Sequence, residues 1–317
     1  MTAGTAAGAW RPARLTLVGS VIADVMMRVP GLPDRGGDVL ASAAVLQAGG
    51  GFNVLAAAAR LGMPCALAGH VGTGPFGSVI AAALAAEGIG ILLPQPAGDS
   101  GFTLGLVEPD GERTFVTSPG AEAGLSLAEL SRVNPGPGEA VYLSGYDLCY
   151  PGGPGIAAWC GQLGDVLLVL DPGPLAGEIP GAVLEPVLRR TSLLTLNARE
   201  AGLLFGTTRP EPSRGRLAPG AVILVRDGPR GCTLFGAGFT GRHVPAPAVT
   251  AVDSTGAGDA HTGALLAELR RTGDLVAAAR TANLAAAFAV TQAGSATAPD
   301  RARLDAFAAR LDRTCPQ

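Results

Sequence analysis

From about residue 120 onward, short apolar runs alternate with longer stretches in which apolar residues recur every three or four positions. The runs Ala140–Ser144, Val166–Asp171, Leu193–Leu196, Ala221–Arg226 and Cys232–Phe235 predict buried strands. Leu125–Arg132, Gly155–Leu163, Ala182–Arg190 and Ala198–Phe205 predict the helices between them, and Leu275–Thr291 and Arg301–Leu311 predict two more. Such alternation predicts an α/β fold with a mostly parallel sheet covered by helices on both faces. Earlier in the chain the pattern is mixed. Leu15–Gly19 and Cys65–Ala68 predict strands, and Val54–Leu61 and Ser78–Glu87 predict helices. Val39, Ala41, Ala43 and Val45 share one face of a candidate strand. Phe102–Glu108 and Arg113–Thr117, joined by an Asp-Gly turn, predict a hairpin. Together these last segments predict a small sheet apart from the core, with an outer apolar face suited to pairing with a second copy.

Composition narrows the function. The chain has 317 residues, 48% of them hydrophobic, enough for a large core. A net charge of −3 and 4% aromatic residues give no case for nucleic acid or an anionic membrane as a partner. All 23 basic residues are arginine. Without lysine there is no Walker A phosphate loop and no Schiff-base chemistry. The five cysteines are scattered and form no Cys-x-x-Cys pair, which fits free thiols in a reducing cytoplasm. The first residues lack a long apolar run, so residues 1–13 are expected to be a disordered leader, with neither signal peptide nor membrane span.

The chemistry concentrates at residues 253–259, Asp-Ser-Thr-Gly-Ala-Gly-Asp, placed between an apolar run and an Ala/Leu-rich helix. Gly256, Ala257 and Gly258 let a ligand approach the backbone, and the helix start offers unpaired N–H groups to an anion. Asp259 is either a helix cap or a carboxylate poised beside a phosphate to accept a proton. Gly49-Gly50-Gly51-Phe52-Asn53 is a second glycine-rich turn before a helix, where Asn53 can cap or bind a hydroxyl. Asp24 is a lone acid among apolar neighbours after the first strand, where a turn or cap residue is the plain reading. Asn197 and Glu200 have the spacing of a capping box. Gly72–Gly77 spells Gly-x-Gly-x-x-Gly, but Pro75 and the missing acidic strand end make it a decoy for dinucleotide binding.

The 253–261 run resembles the C-terminal signature of the PfkB family of carbohydrate kinases, Asp-Thr-Thr-Gly-Ala-Gly-Asp-x-Phe, departing from it at Ser254 and His261. Residues 49–53 resemble that family's Gly-Gly-x-x-Asn. The resemblance implies a three-layer ribokinase-like fold with a β lid. Its core would comprise residues 14–33, 48–98 and 118–317, and its lid residues 34–47 and 99–117. It implies ATP-dependent phosphorylation of a primary hydroxyl on a small sugar. Asp259 would be the general base and the amides of Gly256, Ala257, Gly258 and Asp259 the anion hole. Asp24, Gly49, Gly50, Gly51 and Asn53 would hold the acceptor, with Arg113 either reaching it or remaining a solvated charge. Asn197 and Glu200 would order magnesium through water. Gly228 and Gly231 would form the nucleotide loop, with Arg226 or Arg230 either meeting phosphate or solvated, and Asn283 near the adenosine. Asp253, Thr255 and Gly294 would place a potassium ion. A nucleoside kinase and a non-catalytic sugar-binding homologue are the rival readings of the same residues.

Overall fold

The computed structural model describes residues 10–210 and 216–314. The core sheet is built from β1 (Leu15–Val18), β4 (Cys65–Ala68), β5 (Gly90–Ile91), β8 (Ala140–Ser144), β9 (Leu167–Asp171), β10 (Leu193–Asn197), β11 (Val222–Arg226), β12 (Cys232–Gly236) and β13 (Phe239–Val244). The smaller sheet holds β2 (Val21–Arg28), β3 (Ala43–Gly50), β6 (Phe102–Val107) and β7 (Arg113–Ser118). The nine core strands run in the order β13-β12-β11-β10-β9-β8-β1-β4-β5. Pairing is parallel from β5 to β11 and antiparallel across β11-β12-β13.

Side-chain alternation explains the three layers. Leu15, Leu17, Tyr142, Val169, Leu193 and Leu224 pack into one cluster with the helices Gly51–Arg60, Ala257–Thr272 and Leu275–Val290. Val18, Val141, Leu143, Leu168, Leu194 and Val225 face the opposite way, onto Gly153–Cys160, Gly181–Leu188 and Ala198–Phe205. Both faces of every central strand are therefore apolar, as a helix-covered parallel sheet requires. The cysteines Cys65, Cys149, Cys160 and Cys232 are free and all belong to this core unit. Among the described residues no helix is long and apolar enough to cross a membrane.

The lid sheet, in the order β3-β2-β6-β7, departs from expectation at one strand. Residues 14–33 read as core in the sequence, yet β2 leaves that core one turn after β1 and becomes a central lid strand. Its mixed polarity marks a sheet covered on one side only. The candidate strand at 39–45 begins at Ala43 and runs on to Gly50, so Val39 and Ala41 lie outside it. The register places Gln47, Asp24, Thr103 and Thr117 in one row across the sheet. Two residues further along the same face lie Val45, Met26, Gly105 and Phe115, and Arg113 follows beyond them. Leu46, Val25, Leu104 and Val116 form an apolar row on the other face.

Of the expected leader, residues 1–9 lie outside the described residues. The remainder is anchored: Trp10 packs on the core, Arg11 donates to the Thr272 carbonyl at 2.8 Å, and Ala13 N–H donates to Gly138.

Candidate active site

The carboxyl ends of the parallel strands deliver Ser144, Asp171, Asn197 and Arg226 to one edge, where the registers set Ser144 opposite Asp171 and Asn197 opposite Arg226. Ligand sites in such sheets form at this edge. The helix Ala257–Thr272 begins beside it. Its N-cap is Gly256, left-handed at φ 71°, and a Cβ there would overlap the Ser295 carbonyl. Asp259 makes no cap bond, so the capping role weighed from sequence does not apply. Ala257 N–H is used internally by the Ser254 carbonyl at 3.2 Å. The N–H groups of Gly256, Gly258 and Asp259 have no acceptor among the described residues, so the expected four-amide anion site reduces to three.

Asn53 sits in the first turn of the helix Gly51–Arg60, and it too does not cap. Its amide Nδ2 donates to Asp259 Oδ2 at 3.1 Å, while its own Oδ1 is buried without a partner. Burial is the largest influence on Asp259 and pushes its pKa up to about 7. Asp171 and Asp24 push the same way, while Asn53 and Arg226 oppose. Asp24 faces this pair from the lid strand β2, rather than following a core strand as expected. Its pKa is pushed up to about 6 by burial, against a hydrogen bond donated by Ser295 Oγ at 3.3 Å. Gln47 Nε2 in turn donates to Ser295 Oγ at 2.8 Å. A Cβ at Gly49 would run into the Asp24 carboxylate and push it from this position. Gly50 and Gly51 carry the chain from lid to helix, and Gly51 N–H donates to the Ser20 carbonyl at 3.1 Å.

On the other side of the anion loop lies a cavity of about 540 Å³. Gly228 and Gly231 border it, as do Asn197, Arg226, His261 and Asn283. Arg226 is not a solvated charge. Its Nη1 donates to Asp171 at 2.7 Å, to Thr195 and Thr262 at 3.2 Å, and to the Gly258 carbonyl at 3.4 Å. Glu200 is 3.7 Å from its Nη2. Burial works against the guanidinium charge, and Asp171 and Glu200 more than restore it. Arg230, by contrast, is exposed and paired with Asp227.

Asn197 and Glu200 form a complete capping box: Asn197 Oδ1 accepts from Glu200 N–H, and both Glu200 oxygens accept from Asn197. Glu200 is 3% exposed, which leaves it no direct contact with a metal. Among the described residues there is no group of three His, Cys, Asp or Glu able to hold one. Asn283 binds the Val244 and Pro245 carbonyls through Nδ2, which orients its Oδ1 to accept from His261 Nε2 at 3.2 Å. His261 is buried with its pKa pushed down to about 3, so it is neutral.

Arg113 does not reach the acceptor side. Its Nη2 donates to Asp253 Oδ1 at 2.6 Å. Asp253 also accepts from Thr255 N–H at 2.8 Å and Gly294 N–H at 3.1 Å. Of the groups expected to place potassium, the Asp253 carboxylate is therefore already engaged, Oδ1 by a guanidinium and the Thr255 N–H and Oδ2 by the Gly294 N–H, which makes it a poor ligand for that ion.

The decoy reading of Gly72–Gly77 has a physical basis. Asp99 accepts from Phe76 N–H at 3.1 Å and from Gly77 N–H at 2.8 Å, filling the helix start with a carboxylate of the chain itself.

Sequence reasoning missed Gln47, Ser295, Tyr146 and Asp147. Ser295 follows Gly294 in an unpatterned stretch, and its contacts with Asp24, Gln47 and Gly256 locate it. Tyr146, 41% exposed, follows β8 by two residues and has its pKa raised by burial and then by Asp259. Asp147 is 2% exposed and accepts from Ser20 N–H at 2.8 Å, fastening the β1–β2 junction. A lone acid inside an apolar run was the available signal.

Comparison with known proteins gives the family and the fold. The family description "pfkB family carbohydrate kinase" matches residues 12–302. The uncharacterised sugar kinase YegV of Escherichia coli is 34% identical over 297 residues, 91% of this chain and 92% of that protein. Ribokinase from Thermotoga maritima superposes with a TM-score of 0.79 at 22% identity, covering 94% of this chain and 99% of that one. A ribokinase from Arabidopsis thaliana, solved with ribose and ATP, gives a TM-score of 0.75 at 24% identity, covering 93% and 98%. The chain belongs to the pfkB family of carbohydrate kinases.

Proposed function

We propose that this kinase transfers the γ-phosphoryl group of ATP to a primary hydroxyl of a small sugar, with Asp259 as general base. One observation carries this reading. Asp259 is held by Asn53 on the first turn of a helix, between Asp24 on one side and the 540 Å³ cavity on the other. A sugar bound by Asp24, Asn53 and the Gly49–Gly51 backbone presents its hydroxyl to Asp259. The carboxylate accepts the hydroxyl proton as the oxygen bonds to the γ-phosphorus, the bond to the bridging oxygen breaks, and ADP leaves. The free amides of Gly256, Gly258 and Asp259 face charge developing on the transferring group. Arg226 supports that loop from behind through the Gly258 carbonyl.

The adenosine end suits the cavity lined by Asn283, Ala287 and Val290. Magnesium travelling on the phosphates neutralises their charge when bound, and Asn197 with Glu200 would meet it through water. A coupled ADP-release assay against pentoses, hexoses, sugar phosphates and nucleosides tests the reading. Acceptor-dependent release is expected, reduced about a thousandfold in Asp259→Asn. Equal rates in both proteins would remove Asp259 as the base.

A further inference from the structure

We propose that Arg113 serves as the chain's own monovalent cation at Asp253, so that the anion loop keeps its shape without potassium and acquires that charge only when the lid is in place. The inference deepens the kinase reading and rests on it for its rate arm alone.

The geometry supplies both halves. Asp253 is a junction between two segments. Its Oδ1 accepts from Thr255 N–H, one residue before the left-handed Gly256. Its Oδ2 accepts from Gly294 N–H, next to Ser295, on whose carbonyl Gly256 rests. The backbone N–H groups of Val252 and Asp253 donate to the Val290 carbonyl at 2.7 and 3.1 Å, closing the same junction. The carboxylate therefore sets where the amides of Gly256, Gly258 and Asp259 point. It is half-buried; burial works against its charge, and the bonds from Thr255 and Gly294, joined by the Arg113 charge, hold its pKa below the ordinary carboxylate value.

The counter-charge present is the Arg113 guanidinium, 2.6 Å from Oδ1, with the two side chains 21% and 19% exposed. A guanidinium on a carboxylate oxygen excludes a potassium ion from that oxygen. It meets the same need with one chain-borne charge and no coordination shell to assemble. Arg113 opens strand β7 on the face that also carries Asp24. The sugar-facing side of the lid thus delivers both a candidate acceptor ligand and the cation. Lid closure and completion of the loop become one event, and neither depends on the ionic composition of the solution.

The test compares wild type, Arg113→Ala, Arg113→Lys and Asp253→Asn in sodium and in potassium buffers of equal ionic strength, by melting temperature and by ADP release. Wild type and Arg113→Lys are expected to melt and turn over equally in the two salts. Arg113→Ala is expected to lose about tenfold in rate in sodium. Potassium, or added guanidinium at concentrations below denaturing, should restore most of that rate, and potassium alone should raise the melting point. Asp253→Asn should respond to neither cation. Potassium activation of wild type, or an Arg113→Ala protein indifferent to potassium in both readouts, would overturn the proposal. The melting comparison decides it even if no acceptor supports turnover, which separates its failure from that of the kinase reading.

Discussion

At the scale of single residues, the site trades stability for chemistry. Asp259 has an ordinary pKa of 3.8 and is pushed up to about 7 in the fold. A raised carboxylate favours the protonated folded state, so its contribution is fully present below about pH 4 and is lost as pH rises through 7. The base must be ionised to work, so kcat/KM should climb with pH up to about 7 and then level. Asp259→Asn removes the cost of the buried charge. Its melting temperature should exceed that of wild type by a few degrees at pH 8, with the gap closing toward pH 4. A variant that melts lower than wild type at pH 8 would contradict the burial argument. Legibility at this scale was uneven. Asp259, Asn53 and the glycines stood out because their spacing is rigid. Gln47 and Ser295 did not, because they meet from opposite ends of the chain, 248 positions apart.

At the scale of elements, periodicity located the core strands because both of their faces are buried, so each reads as an unbroken apolar run. It failed on β2, β5 and β13. β5 has two residues, β13 is a mostly exposed edge strand, and β2 alternates between faces and so gives no apolar run. The hairpin was legible from its turn, where Gly111 adopts φ 89°. The lid's outer row, with Leu46 47% and Val116 64% exposed, is the apolar face that the sequence reading offers to a second copy. Leu46→Glu with Val116→Glu should convert a dimer to a monomer in sedimentation at micromolar concentration while leaving the melting transition cooperative. A wild type that sediments as a monomer would dismiss that pairing.

At the scale of the molecule, the division into a helix-covered core and a β lid followed from sequence, but the seam between them did not. Two of the crossings are abrupt, at Gly19–Ser20, where Asp147 fastens the backbone, and at Gly50–Gly51. Nothing in hydrophobic patterning marks a crossing made within two residues.

The four core cysteines have a consequence for reactivity. Burial pushes the thiols of Cys65, Cys160 and Cys232 up to about 12, so in the native state they are scarcely ionised and inert to alkylating reagents. None lies in the lid. Lid opening should therefore be invisible to thiol labelling, whereas opening of the sheet should be seen at once. Read at the peptides that hold the buried Cys160 and Cys232, pulsed alkylation would report core breathing alone, with both modified at the rate of global unfolding. Faster labelling at either would mean that the layers around the sheet separate while the rest of the chain stays folded.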